Sequence, residues 1–169
     1  ASDAWGAIEV AVQSDDSGSI ETINALAESL KDDFSGTVYA RFAALQLAAL
    51  AVEAGDLDVA ESELRWALTK EGENSELGQL IQLRLARVLA DQGDTTAALA
   101  ILDSNKGAYP AAYATAKGDI LVSEGRHVEA LSAYREARAV LLALGNPPGI
   151  LDTKITSLES RLAPAEEAS

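Results

Sequence analysis

VYARFAALQLAALAVEA, residues 38–54, followed by Gly55-Asp56, decides how the rest of the chain is read. Its polar interruptions are Arg41, Gln46, Glu53 and the phenol of Tyr39. It has no proline, and alanine and leucine outnumber β-branched residues, so the stretch predicts a helix. At about 100° per residue the side chains sort into two apolar faces. The broad face carries Tyr39, Ala40, Ala43, Ala44, Leu47, Ala48, Leu50, Ala51 and Ala54, and its alanines let neighbouring helices approach closely. A narrower strip carries Phe42, Leu45, Ala49 and Val52, flanked by Arg41, Gln46 and Glu53. A helix apolar on so many sides is expected to be buried against several partners. The narrow strip needs a cover, either the chain itself or a guest.

Outward from this helix the chain repeats itself. Gly55, Gly93 and Gly125 each end one helical pattern and precede another. Seven residues before each stands a small side chain (Ala48, Ala86, Gly118), and five after each stands alanine (Ala60, Ala98, Ala130). Nine after each stands a large one (Leu64, Leu102, Tyr134). Twelve after come Ala67, Asn105 and Ala137, the middle one breaking the pattern. Small residues timed from one turn glycine let an antiparallel helix pair close tightly. The glycines are 38 and then 32 residues apart, the range of a helix-pair solenoid. Asp56 and Asp94 follow their glycines and are expected to cap the next helix, whereas Arg126 replaces the acid in the third pair.

Before the repeats, residues 3–13 and 20–30 predict two further helices, with Ser2 or Asp3 able to cap the first. The turn between them, Asp15-Asp16-Ser17-Gly18-Ser19, lacks the alternating acids of a calcium loop and reads as a polar turn. After them, Gly145-Asn146-Pro147-Pro148-Gly149 stops the third pair. A last helix then carries Leu151, Ile155, Leu158 and Leu162 on one face, as expected of a helix closing an open end. Residues 164–169 read as an acidic, disordered tail. The expected fold is all-α: a right-handed solenoid of about four antiparallel helix pairs plus a C-terminal capping helix over residues 1–163.

Composition narrows the function. The 169 residues are 48% hydrophobic but only 5% aromatic, which suits packed helices. A formal charge of −14 argues against binding nucleic acid through its phosphates. Absence of cysteine excludes disulfides, thiolate catalysis and Cys-based zinc sites. The sole histidine, His127, beside Arg126 at a helix start, reads as solvated or capping and rules out a multi-histidine metal site. No G-x-S-x-G, P-loop or G-x-G-x-x-G occurs, and the acid pairs Asp15-Asp16, Asp32-Asp33 and Glu166-Glu167 read as solvated charge. Trp66 reads as helix packing. The expectation is therefore no catalysis, no cofactor and no metal. No stretch reaches the length of a membrane span.

The offsets small, glycine, alanine, large, alanine are those of the tetratricopeptide repeat, and Pro110 matches the proline that closes such a repeat. TVYARFAALQLAALAVEAGDLDVAESELRWAL, LIQLRLARVLADQGDTTAALAILD and AKGDILVSEGRHVEALSAY resemble the YfgM family, over roughly residues 20–140. That resemblance implies an ancillary subunit of the bacterial SecYEG translocon. It further implies one N-terminal transmembrane helix in the inner membrane, preceding Ala1 of a trimmed domain, and a repeat domain in the periplasm. The implied partners are SecYEG, a PpiD-like membrane-anchored prolyl isomerase, periplasmic chaperones and unfolded or translocating proteins.

In such repeats the first helix of each pair lines the concave side. Counted back from the glycines, the lining is Phe42, Leu45, Ala49 and Val52, then Leu80, Leu83, Arg87 and Ala90, then Ala112, Thr115, Asp119 and Val122. This groove is apolar at its first two helices, with Arg41, Gln46, Glu53 and Arg87 as a solvated rim, and it suits hydrophobic segments of other chains. The alternative is that the N-terminal or last helix fills it. A rival function is a structural scaffold whose strip makes a homodimer or a fixed subunit contact.

Overall fold

The computed structural model describes residues 1–14, 17–104 and 107–163. The expected turn at Asp15-Asp16, Asn105 and the tail at 164–169 lie outside the described residues. Among the described residues there are nine helices and no strand: α1 (Ser2–Val12), α2 (Ser17–Asp33), α3 (Val38–Ala54), α4 (Leu57–Glu71), α5 (Glu76–Asp91), α6 (Thr95–Ser104), α7 (Pro110–Ser123), α8 (His127–Ala143) and α9 (Ile150–Leu162). They fall into two compact units, Ala1–Gln92 and Gly93–Ser169.

The three turn glycines all hold left-handed backbone, with φ of 81° at Gly55, 91° at Gly93 and 72° at Gly125. Any side chain there would be strained, so glycine marks each reversal of the chain. After Gly55 the Asp56 N–H donates to the Ala51 carbonyl at 2.8 Å, and after Gly125 the Arg126 N–H donates to the Leu121 carbonyl at 2.8 Å. The same closure thus ends α3 and α7. Asp94 caps α6 through the Ala97 N–H at 3.0 Å, but Asp56 makes no side-chain cap bond to α4, against expectation. Nor does Ser2 or Asp3 cap α1, whose N-cap position is Ala1.

In the first unit, consecutive helices pack against one another and α3 sits among α1, α2 and α4. Of the broad face, Ala40, Ala43, Ala44, Leu47, Ala48 and Ala51 are buried, Tyr39 and Leu50 are half-buried, and Ala54 at the helix end is exposed. Ile8, Ile23, Ala27 and Leu30 close over Ala43 and Leu47. Polar pins cross this unit. Lys31 Nζ lies 2.7 Å from Glu63 Oε1, and Arg41 Nε lies 2.6 Å from Glu71 Oε2. Burial pulls the Lys31 ammonium down, but the hydrogen bond and charge of Glu63, with Glu28 behind them, outweigh it and leave its pKa raised. Trp66 is half-buried between the ammonium groups of Lys31 at 5.5 Å and Lys70 at 5.7 Å from its ring centre.

In the second unit, α7 and α8 form the tightest pair and α9 packs on α8 through Leu151, Ile155 and Leu158. Leu162 is exposed at the helix end. The small residue Gly118 and the large residue Tyr134 meet directly: a Cβ on Gly118 would overlap the ring carbons of Tyr134. The Tyr134 hydroxyl donates to Asp119 Oδ1 at 2.6 Å, and Lys154 from α9 both pairs with Asp119 and covers the ring. Ala60, Ala98 and Ala130, the residues at equal offsets from the glycines, are all fully buried.

Candidate partner-binding groove

On α3, an i, i+3, i+4, i+7 row puts Leu45, Ala48, Ala49 and Val52 on one side of the helix. In the structure these four face a cavity of about 390 Å³ in the first unit. Leu64 of α4 closes part of the floor, and Arg84, Arg87, Val88 and Asp91 of α5 supply the far wall. The interior is aliphatic, and the rim carries Glu53, Arg84, Arg87 and Asp91. Val52 is 41% exposed, so the mouth is open to solvent. Such a site can take up an aliphatic side chain by burying apolar area, and its rim charges can orient the polar groups that flank that side chain.

Of the expected lining, the structure brings Leu45, Ala49, Val52 and Arg87 together here. Phe42 is engaged by the chain itself: its ring centre lies 5.6 Å from that of Trp5 in α1. Self-covering thus operates at that end of the strip. Leu80 is half-buried and Leu83 buried, and neither faces this cavity. The four expected residues on α7, Ala112, Thr115, Asp119 and Val122, belong to the second unit, and the last three are engaged there. The Thr115 hydroxyl donates to the Ala111 carbonyl at 2.7 Å, Asp119 takes the Tyr134 hydrogen bond, and Val122 packs on the core. Arg41 leaves the solvated rim, because its ion pair with Glu71 buries most of its side chain.

Ala48, Leu64, Arg84, Val88 and Asp91 join the site from outside the expected lining. The α5 residues 84, 87, 88 and 91 do form a helical row, but two arginines and an aspartate hide it from an apolar count. Counting from Gly93 places the groove side of α5 about one residue, or roughly 100°, away from where it lies. His127 does not cap either: α8 has no side-chain cap bond, and the His127 Nδ1 is buried without a hydrogen-bond partner. Among the described residues no group of three or more His, Asp and Glu is placed to hold a metal ion. No described helix is long and apolar enough to cross a membrane.

A family model described as a tetratricopeptide repeat-like domain matches residues 1–160. The chain belongs to that family. Two curated relatives are named ancillary SecYEG translocon subunit. One, from Haemophilus influenzae, is 36% identical over 105 residues, which is 62% of this chain and 51% of the relative. The other, from Neisseria gonorrhoeae, is 34% identical over 116 residues, 68% of this chain and 55% of the relative. The tetratricopeptide repeat-like chain therefore spans about half the length of the curated relatives it matches. Their name agrees with the resemblance to the YfgM family read from the repeats. No solved structure gives a significant match.

Proposed function

We propose that this chain is a non-catalytic protein-binding domain of an inner-membrane-anchored ancillary subunit of the SecYEG translocon. On this reading the domain stands in the periplasm, holds apolar segments of polypeptides leaving the translocon, and passes them to chaperones and to a PpiD-like prolyl isomerase. The observation that carries the reading is the aliphatic cavity between α3 and α5, open at Val52 and edged by charges of both signs. The occupant is an apolar stretch of an exported chain. Its aliphatic side chains lose water in the cavity while flanking polar groups stay at the wet rim. The relatives named ancillary SecYEG translocon subunit supply the setting.

The test is site-specific crosslinking in membranes, using the full-length protein with a photoreactive side chain at position 52 and an arrested secretory chain. Val128, 69% exposed in the second unit, is the control position. Crosslinks from position 52 that disappear when the exported segment's leucines become serine are the expected result. Equal labelling from position 128, or crosslinks from position 52 only to a second copy of the same protein, would overturn the reading in favour of general stickiness or a scaffold.

A further inference from the structure

A second cavity, on another side of α3, has a different chemistry. It measures about 410 Å³ and lies among α2, α3 and α4. Ile20, Leu50 and Val59 supply apolar wall, and Ile20 and Val59 are each about half exposed, at 48% and 51%. Glu28, Asp56 and Glu63 also line it, and among the described residues no basic one does. Lys31 reaches two of these acids, with Nζ 3.2 Å from Glu28 Oε1 and 2.7 Å from Glu63 Oε1. Three carboxylates against one ammonium leave the site net negative.

Two of the acids are incompletely used by the fold. Asp56 occupies the N-cap position of α4 but forms no cap bond, so its exposed carboxylate holds no partner in the helix it precedes. Glu63 is only 9% exposed, and its Oε2 is buried with no hydrogen-bond partner while Oε1 takes Lys31. A buried carboxylate oxygen left unsatisfied is costly and gains from a donor brought in by a ligand. An apolar wall leading to unspent acceptors fits a side chain with a long aliphatic stem and a cationic head.

We propose that this cavity is a docking site for an arginine or lysine side chain carried on an amphipathic segment of a partner protein. The stem lies along Ile20, Leu50 and Val59, and the head reaches Asp56 and Glu63. The chain's charge of −14 favours the encounter, since its field draws a cationic segment from solution. The site is separate from the cavity at Val52 and does not depend on the function assigned to it.

The experiment compares two short capped amphipathic peptides of leucine, alanine and serine, one with a central arginine and its twin with citrulline, which keeps the shape without the charge. Binding to the 169-residue chain is followed by amide chemical shifts. The arginine peptide should move the amides of Ile20, Asp56 and Val59, and the citrulline twin should bind about tenfold more weakly. Asp56→Asn should produce a similar loss with an unchanged melt, because Asp56 caps nothing. Val59→Lys should abolish the response by placing the protein's own ammonium at the mouth, and Val52→Glu should leave it intact. Equal binding of the twins, shifts confined to Ala49 and Val52, or no shifts at millimolar peptide would overturn the proposal. Shifts at the same amides on concentrating the protein alone would also overturn it, by making a second copy the occupant.

Discussion

The pair α3–α4 and the pair α7–α8 use the same two positions in different ways. Seven before and nine after the turn glycine, the first pair has Ala48 and Leu64, and both line an open cavity. The second pair has Gly118 and Tyr134, and the ring lies directly on the glycine. A smaller residue on one helix is matched by a larger one on the other, which keeps the helices at packing distance. The polar pins differ too. Lys31–Glu63 and Arg41–Glu71 have side chains exposed by only 12–17%, whereas Arg135–Glu159 and Arg138–Asp152 lie about half in water. Exposed pairs of this kind contribute ~0.2–1 kcal/mol, while losing one member of a buried pair leaves an uncompensated charge. One repeat frame therefore supports a unit closed by an aromatic ring and another that leaves apolar surface available.

The largest effect expected is at the leucines of α3 and α5. Leu45 is 7% exposed and Leu83 is 4% exposed. Leu83→Glu removes a packed aliphatic chain and buries a carboxylate without a partner, so it should cost about 4 kcal/mol. Leu45→Glu loses the same packing but faces the cavity lined by Arg84 and Arg87, so it should cost less, about 2 kcal/mol. Val52→Glu, at the mouth of the cavity, should stay within about 0.5 kcal/mol. Thermal or urea unfolding checks this, and equal melts for the three variants would mean that the leucines are not held in the core.

Next is the Gly118–Tyr134 contact, which can be converted towards the chemistry of the first pair. Gly118→Ala gains ~1 kcal/mol of helix propensity but drives a Cβ into a ring held by Asp119. Overpacking should win, with a net loss of about 1–3 kcal/mol. Adding Tyr134→Leu should recover part of that loss, so the two changes couple favourably in a double-mutant cycle. Additive changes would break the comparison. Ala60→Leu, Ala98→Leu and Ala130→Leu, all at fully buried positions, should each cost about 1–3 kcal/mol as well. Unchanged melting of all three would place the repeat phase elsewhere.

The same residues explain how much of the fold and the site is legible in the sequence. The glycine-timed positions are readable because left-handed turns, buried alanines and complementary volumes leave residue-type signatures at fixed spacing. The α3 side of the cavity is readable for the same reason, as an apolar row. The α5 side is readable only at Arg87, since Arg84 and Asp91 suit a wet rim and look like any solvated face. The pairing of Phe42 with Trp5 is hidden as well, because it joins helices far apart in sequence whose mutual orientation no local pattern encodes.

A further asymmetry appears at high pH. Burial pushes the Tyr113 phenol up to about 12, and burial together with Asp119 raises that of Tyr134 further. A phenol whose folded pKa is raised contributes stability that is fully present below its unfolded value near 10 and is lost as pH rises through the folded value. Both phenols lie in the second unit, so stability there should fall from about pH 10 upwards. Tyr113→Phe should flatten that fall, as measured by unfolding across the alkaline range. A fall just as steep in the variant would mean that Tyr113 does not carry the effect.

The smallest effect is the most discriminating between the units. Asp56 and Asp94 stand at the same place in sequence, directly after a left-handed glycine and before a helix. Asp94 accepts the Ala97 N–H at 3.0 Å, while Asp56 makes no cap bond and instead lines the acidic cavity. Removing a working N-cap costs about 1 kcal/mol, because an N–H of the first helical turn loses its acceptor. Asp94→Ala should therefore lower stability by about that amount. Asp56→Ala removes no such bond and also relieves repulsion from the nearby carboxylates, so it should change stability by no more than a few tenths of a kcal/mol. Amide exchange at Ala97 should accelerate in the first variant, and the corresponding amides of α4 should be unaffected in the second. If both substitutions cost the same, Asp56 is a structural cap after all and its carboxylate is not free to meet a cationic partner.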